Sequence, residues 1–353
     1  MRILLLSPYD AMSHQYWHQR LIADLQTRYS AEVVLVTLPP RHFSWRVRGN
    51  SLTLSQDKRV QSHYDLVIAT SMTDLSALKG MAPNLATTPS VVYFHENQFA
   101  YPDANQVHQV ERQITSIYSA LAASALVFNS NFNLSSFLSG AGSLLAKMPD
   151  GVPVDIEAQL RQKSRVISVP IQVPDTLKGQ APQLERGLSL VWNHRWEYDK
   201  GLDELVGLLS LIKAEIPVFT CHLIGQSFRT IPPQLERAKS LLGDSLGKFG
   251  FISDRQEYLA LLATADIVLS TARQEFQGIA ILEAMAFGCT PVVPDSLAYT
   301  EFVPAENRYG SSEAALEMVR NFDRSTTKPP LLPADVSPHQ VSLRWQQLLD
   351  ELL

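Results

Sequence analysis

Two glutamates, Glu275 and Glu283, stand with seven residues between them in QEFQGIAILEAMAFGCTPVV. The segment follows the apolar run DIVLST, turns at Gly278 into a helix-patterned stretch ending at Gly288, and leads into TPVVP. The first N–H groups of a helix have no partner within it and carry partial positive charge. A turn over the backbone of Phe276, Gln277, Gly278 and Ile279 therefore suits a phosphate. Glu283 falls roughly 7 Å along that helix at 1.5 Å per residue, so two carboxylates flank the anion without touching. Such a pair suits hydroxyl-rich groups at the two ends of a diphosphate. A second reading of the same spacing makes Glu275 a helix cap and Glu283 a solvated helix residue. Earlier, NHRWEYDKG supplies Arg195, a planar fork of donors, and Lys200, a point charge on a flexible stem. Together they suit two linked phosphates. The alternative is simple pairing with Glu197 and Asp199.

The first half carries a different set. SVVYFHENQFAYP places His95, Glu96 and Asn97 at the carboxyl end of an apolar run, where open α/β sheets bind their ligands. In SPYDAMSHQYW, Ser13 and His14 stand at a helix start, positioned for a donor or acceptor, with N-capping by Ser13 as the other reading. PPRHFSWRVRGNS reads as a loop that sets Arg41, His42, Arg46 and Arg48 around Phe43 and Trp45, in a chain of net charge −5. Arginines there would contact phosphates while the aromatic faces receive unstacked bases. Otherwise the aromatics anchor the loop and the arginines are solvated. No metal site is expected: Cys221 and Cys289 are too few, and His14 and His18, four apart, lack the acidic helix context of a zinc motif.

The elements that must position these residues alternate. RILLLS, EVVLVTL, DLVIATS, SVVYFH, ALVFNS and RVISVPI are short apolar runs with helix-patterned segments between them. LSLVWNH, FTCHLIG, KFGFI, DIVLST and TPVVP restart the pattern. This predicts an α/β protein with two doubly wound parallel sheets. A chain of 353 residues exceeds what one core usually serves. Pro170, Pro174 and Pro182 mark the linker, with the boundary near residue 172. The second domain then runs over 173–334. Val341, Trp345, Leu348, Leu349 and Leu352 give residues 335–353 the stripe of a closing helix that packs back on the first domain. Charged residues make up 18%, and no run approaches the roughly 20 apolar residues of a membrane span. MRILLLSPYD reads as a first strand rather than a signal peptide, and the cysteine usage fits a cytoplasmic address.

QEFQGIAILE and NHRWEYDKG resemble the donor site of retaining glycosyltransferases of the GT-B fold, large family four. That resemblance implies two Rossmann-like domains with the active site in the cleft between them. It implies sugar binding by Glu275, ribose binding by Glu283, and diphosphate binding by Arg195, Lys200 and the backbone of Phe276 to Ile279. It also assigns His95 to the transferred sugar and the transition state, with no divalent ion or cofactor needed. Asp10, Ala11 and Met12 stand where many relatives carry glycines. LPPRHFSWRVRGNSLTLSQ, YFHENQFAYP, LVFNSNFNLSSFL, KMPDGVP and NHRWEYDKG, distributed through both halves, resemble the tRNA-queuosine mannosyltransferase family more narrowly. The donor implied is GDP-mannose, and the acceptor is the cyclopentenediol of queuosine at the wobble position of tRNA-Asp. Ser13, His14, Arg41, Phe43, Trp45, Arg46, Arg48 and Asn97 are then the expected acceptor contacts. Two other readings stay open: a GT-B transferase for a lipid, glycan or small metabolite, and a nucleotide-sugar-binding or epimerase-like protein that transfers nothing to a macromolecule.

Overall fold

The apolar runs of the first half become β1 (Arg2–Ser7), β2 (Glu32–Thr37), β3 (Leu66–Thr70), β4 (Ser90–Phe94), β5 (Ala125–Phe128) and β6 (Ser164–Val166). They form one parallel sheet in the order β2-β1-β3-β4-β5-β6. Every residue of β3, β4 and β5 is buried. Helices on both faces explain why these strands read as continuous apolar runs rather than alternating ones. The covering helices are α1 (Met12–Tyr29), α2 (Phe43–Ser55), α3 (Leu75–Met81), α4 (Gln109–Ala122), α5 (Asn131–Leu145) and α6 (Ile156–Gln162). The computed structural model describes residues 1–101, 109–172, 187–227 and 230–353.

The second half gives β7 (Leu188–Trp192), β8 (Phe219–Ile224), β9 (Leu246–Gly250), β10 (Ile267–Leu269), β11 (Thr290–Pro294) and β12 (Arg308–Tyr309). They are parallel in the order β12-β11-β10-β7-β8-β9. The strands from β7 to β9 build outward on one side and those from β10 to β12 on the other. The direction in which successive strands are added therefore reverses between β7 and β10, which opens a crevice at their carboxyl ends. Arg195 and Lys200 follow β7, and Glu275 follows β10, so both chemical segments meet at this switch point. The helices here are α7 (Leu202–Glu215), α8 (Pro233–Leu242), α9 (Arg255–Thr264), α10 (Ile279–Ala286), α11 (Tyr299–Phe302) and α12 (Ser312–Arg320).

The chain divides into Met1–Pro170 together with His339–Leu353, and Ile171–Pro338. The linker read from the sequence falls largely on residues 173–186, outside the described ones. The closing helix α13 (Pro338–Leu352) presents Val341, Trp345, Leu348 and Leu349 inward. Trp345 stacks on Tyr93 with ring centroids 5.9 Å apart. Arg28 donates to Ser342 and Gln346, and Arg165 pairs with Glu351. Burying a large apolar side chain such as this indole contributes about 1.5–3 kcal/mol, so α13 is part of the first unit's core.

The basic aromatic segment is not a loop beyond His42. Phe43 opens α2, with His42 in the left-handed region (φ 56°) as its uncapped N-terminus. Buried Asn50 ties the helix down by donating to the Met72 carbonyl and accepting from Asp74 N–H, while Ser51 donates to the Asp74 carbonyl. Tertiary hydrogen bonds thus fix a helix whose own sequence lacks a cap and contains Gly49. The absence of a Cβ at Gly49 has a local use: the Trp45 indole lies over it, and a Cβ there would fall 2.3 Å from the ring.

Candidate active site

Gly278 turns the chain into α10 with φ 76°, and no side chain caps the helix. A Cβ at this position would press on the Phe302 ring at 2.8 Å in a conformation side chains rarely adopt. Glu275 sits just before the turn and accepts the N–H groups of Phe276 and Gly278. Those two amides are therefore spent on a carboxylate in this structure, a correction to their assignment to a phosphate. The Lys200 ammonium is buried and donates to the Gln274 carbonyl at 2.8 Å and the Glu275 carboxylate at 3.0 Å, with Asp199 at 3.5 Å. Arg195 pairs with Asp199 at 2.8 Å but keeps 42% of its side chain exposed. The surface pairing offered as the alternative is thus real for Arg195 and Asp199, yet it belongs to a buried network that also holds Lys200 and Glu275.

Two titrating groups here are strongly displaced. Burial raises the Glu275 pKa, but the Lys200 charge and the hydrogen bonds outweigh it and hold the carboxyl at about 2. Burial, reinforced by Lys200, pushes His194 down to about 3. At neutral pH the site therefore has an ionised Glu275 and an uncharged His194. The His194 Nε2 is buried without a hydrogen-bond partner among the described residues.

Glu283 is not the solvated residue of the second reading. It is buried, ion-paired with Arg255 from the start of α9, and accepts from the Tyr258 hydroxyl at 3.3 Å. Tyr258 in turn accepts from Asn193 at 3.0 Å. Beyond the ends of β7 and β8 lies a pocket of about 400 Å³ lined by Trp196, Gly225, Gln226, Ile231, Phe249 and Phe251. Its flat walls are aromatic: Trp196 and Phe249 have centroids 4.9 Å apart.

In the first unit, His95 is buried at the end of β4. Its ring stacks on His14 at 4.1 Å and meets Trp17 edge-on at 4.9 Å. Burial, with His14 and His18 nearby, pushes its pKa well below the usual histidine value. The His95 carbonyl accepts from Asn129 at 2.9 Å, while Nε2 is buried without a hydrogen-bond partner among the described residues. Asn97 does not present its amide to an acceptor. It donates to Asn133 and Ser136 and accepts the N–H groups of Phe99 and Ala100. Asn133 also donates to Phe94 and Asn129, so three asparagines lace the ends of β4 and β5 together and hold the backbone of His95. Asn97 is corrected to a positioning residue, because both ends of its amide are occupied.

Asp10, in the stretch where many relatives carry glycines, turns inward, 3.1 Å from His18. Burial raises its pKa, yet hydrogen bonds from His18 and Ser7 outweigh that and leave it below the ordinary value. Ser13 is exposed in the first turn of α1 and does not cap it; Ala11 holds that position. His14 is buried against His95 rather than presented at the surface. Arg41, Trp45 and Arg48 are exposed and Phe43 and Arg46 are half-buried, with Arg48 ion-paired to Asp74 at 3.1 Å and Glu111 at 3.4 Å. Arg48 is therefore corrected from acceptor contact to a strut between α2, the start of α3, and α4.

Residues 2–171 match a family model described as tRNA-queuosine alpha-mannosyltransferase N-terminal, and residues 181–310 match one described as Glycosyl transferases group 1. A Drosophila melanogaster tRNA-queuosine alpha-mannosyltransferase is 35% identical over 91% of this chain and 87% of its own. The chain belongs to the tRNA-queuosine alpha-mannosyltransferase family. A Xanthomonas campestris GDP-mannose:cellobiosyl-diphosphopolyprenol alpha-mannosyltransferase is 26% identical over 59% of this chain and half of its own. Among solved structures, Anabaena HepE with UDP and glucose superposes with a TM-score of 0.69 at 16% identity, covering all of both chains. This likeness, with the two parallel sheets, makes the fold GT-B, and the family makes the chain a hexosyltransferase.

For a tRNA-queuosine alpha-mannosyltransferase family member, the residues that sequence reasoning missed are His194, Arg255 and Tyr258. Arg255 and Tyr258 come from α9, nearly a full βα unit away from Glu283 along the chain. One signal was present: DRQEY opens a helix after β9, one turn setting a cation and a phenol on the same side. Among the described residues no group of three side chains could hold a metal ion, and no helix is long and apolar enough to cross a membrane.

Proposed function

We propose that the chain transfers mannose from GDP-mannose to the cyclopentenediol of queuosine at the wobble position of tRNA-Asp, with retention of anomeric configuration and without a metal. The observation that carries this reading is the 35% identity, running through both units, to a relative named for mannosyl transfer to tRNA queuosine. The name of the Xanthomonas relative supports GDP-mannose as donor.

The second unit's chemistry supports the donor roles. Glu275, ionised at neutral pH, can accept hydrogen bonds from sugar hydroxyls but has no proton to give, so it is a binder rather than a general acid. Arg195 and the uncapped start of α10 receive the diphosphate, and Lys200 holds Glu275 in place while adding its charge. Glu283, fixed by Arg255 and Tyr258, takes the ribose, and the aromatic pocket by Trp196 takes the base. As the C1–O bond loosens, the sugar gains oxocarbenium character and negative charge grows on the departing diphosphate, which these cations and amides stabilise. The departing phosphate oxygen accepts the acceptor's proton on the same face, so no protein nucleophile is required. His95 contacts the transferred sugar through its ring, whose buried Nε2 has no hydrogen-bond partner among the described residues.

The test is incubation with GDP-mannose and tRNA from cells with and without queuosine, followed by nucleoside mass analysis. A hexose added only to queuosine is expected. Transfer to neither tRNA would overturn the acceptor, and transfer from another nucleotide sugar would overturn the donor.

A further inference from the structure

Most arginines of the first unit are tied to its own groups: Arg20 donates to the Tyr16 carbonyl and lies over the Tyr16 ring, and Arg344 donates to the Val166 carbonyl. Arg2, Arg28, Arg48, Arg59, Arg161 and Arg165 each have a carboxylate within ion-pair distance. Arg41, Arg46 and Arg112 have none among the described residues, and all three gather at the first turns of α2. Arg112 comes from α4, yet it donates to Ser44 at 3.0 Å and lies over the Phe43 ring at 5.2 Å. Phe43 meets Tyr9, from the loop after β1, edge-on at 5.6 Å. Trp45 stands beside them with 58% of its surface exposed.

An ion pair stabilises an arginine and also neutralises it. Here the guanidinium of Arg112 is oriented by a hydroxyl and an aromatic face, neither of which cancels its charge. Positive charge with exposed aromatic area is the pattern that suits phosphates and unstacked bases of a nucleic-acid loop. We propose that α2 and α4 jointly form the RNA-contacting surface of this chain, with Arg112 as a phosphate contact beside Arg41 and Arg46, and with Arg48 outside it because its charge is matched by Asp74 and Glu111. Nothing in the segment around Arg112, QVERQITS, marks it for this role; only the α2–α4 packing does. The proposal rests on the reading of a tRNA acceptor and adds to it a second helix and a residue outside the basic segment.

The experiment measures binding of a labelled anticodon stem-loop by fluorescence anisotropy over a salt series, together with KM values for tRNA and GDP-mannose. The proteins are the wild type, Arg112→Gln, Arg112→Lys, and Arg161→Ala as a control that loses the same charge elsewhere. Arg112→Gln should weaken RNA binding about five- to tenfold and flatten the slope of log K against log salt by about one. Arg112→Lys should retain the slope, and the GDP-mannose KM should stay put in every variant. Equal slopes for wild type and Arg112→Gln, or an equal loss in Arg161→Ala, would overturn the proposal. Failure of the acceptor reading shows differently: wild type would bind the hairpin yet add no hexose to queuosine, and the slope comparison would still decide the role of Arg112.

Discussion

The two chemical surfaces of this chain treat positive charge in opposite ways. At the β7/β10 switch point the Lys200 cation is buried and compensated, with Asp199 and Glu275 beside it and Arg195 leaning on Asp199. At the start of α2, Arg41, Arg46 and Arg112 have no carboxylate partner among the described residues and sit at or near the surface. A buried, paired cation is held to a fixed place, which suits a small ligand whose every atom must be positioned. An unpaired surface cation is screened and adaptable, which suits a flexible polyanion bound through many weak contacts. The consequence is that damage to the first surface should appear in chemistry and stability, and damage to the second in salt-dependent affinity.

The sharpest way to break this contrast is Lys200→Met, which leaves the buried Glu275 carboxylate without its cation and Asp199 with Arg195 alone. It should abolish transfer and destabilise the second unit by about 3–5 kcal/mol, read from the denaturant midpoint. A normal midpoint would mean that the buried pair is not structural. Glu275→Gln keeps the shape and removes the charge. We expect turnover to fall about 10²- to 10³-fold with the tRNA KM unchanged, and near-normal turnover would remove Glu275 from the sugar site.

Acid should act on the buried site in a smaller, graded way. His194 stays neutral in the fold down to about pH 3 but protonates near 6.5 when unfolded. Between those values the unfolded chain binds more protons, so stability is full above about pH 6.5 and is lost as pH falls. The slope is about 1.4 kcal/mol per pH unit for this group. Glu275, held at about 2 against an ordinary 4.5, extends the loss below pH 4.5. His194→Gln should flatten the midpoint's pH dependence between pH 7 and 5; an unchanged slope would place the acid sensitivity elsewhere, with His95 the next candidate. Smallest of all, Arg48→Ala should lower stability by about 1–2 kcal/mol, through the hydrogen bond and ion pair lost by buried Asp74, without altering the salt slope of RNA binding. A flattened slope would return Arg48 to the RNA surface.

Features encoded by neighbours along the chain were legible in the sequence. The apolar runs foretold both sheets, and Gly278 between Glu275 and Glu283 foretold the turn into α10. What escaped was pairing across the fold. Arg46 and Arg48 look alike as letters, but only Arg48 meets Asp74 and Glu111, which arrive with α3 and α4. Asn97 in YFHEN reads as a free amide until Asn133, Ser136 and the Phe99 and Ala100 amides fill it. The loop assigned to RHFSWRVRG was a helix because Asn50 and Ser51 find partners around Asp74, and local propensity there is weak. Arg255 illustrates the same point from the other side: its importance comes from Glu283, which its own surroundings do not mention.

The return of α13 to the first unit has a consequence for how the protein is made. Tyr93, at the centre of the first sheet, is covered by Trp345, and Arg28 and Arg165 find partners among residues 342–351. On the ribosome the first sheet can assemble early, with Trp17 of α1 already on Tyr93, but the part of that face under α13 stays uncovered while the entire second unit is synthesised. The unit that begins first is therefore finished last, and a chain shortened before residue 339 would lose order in the half of the molecule that the deletion never touched.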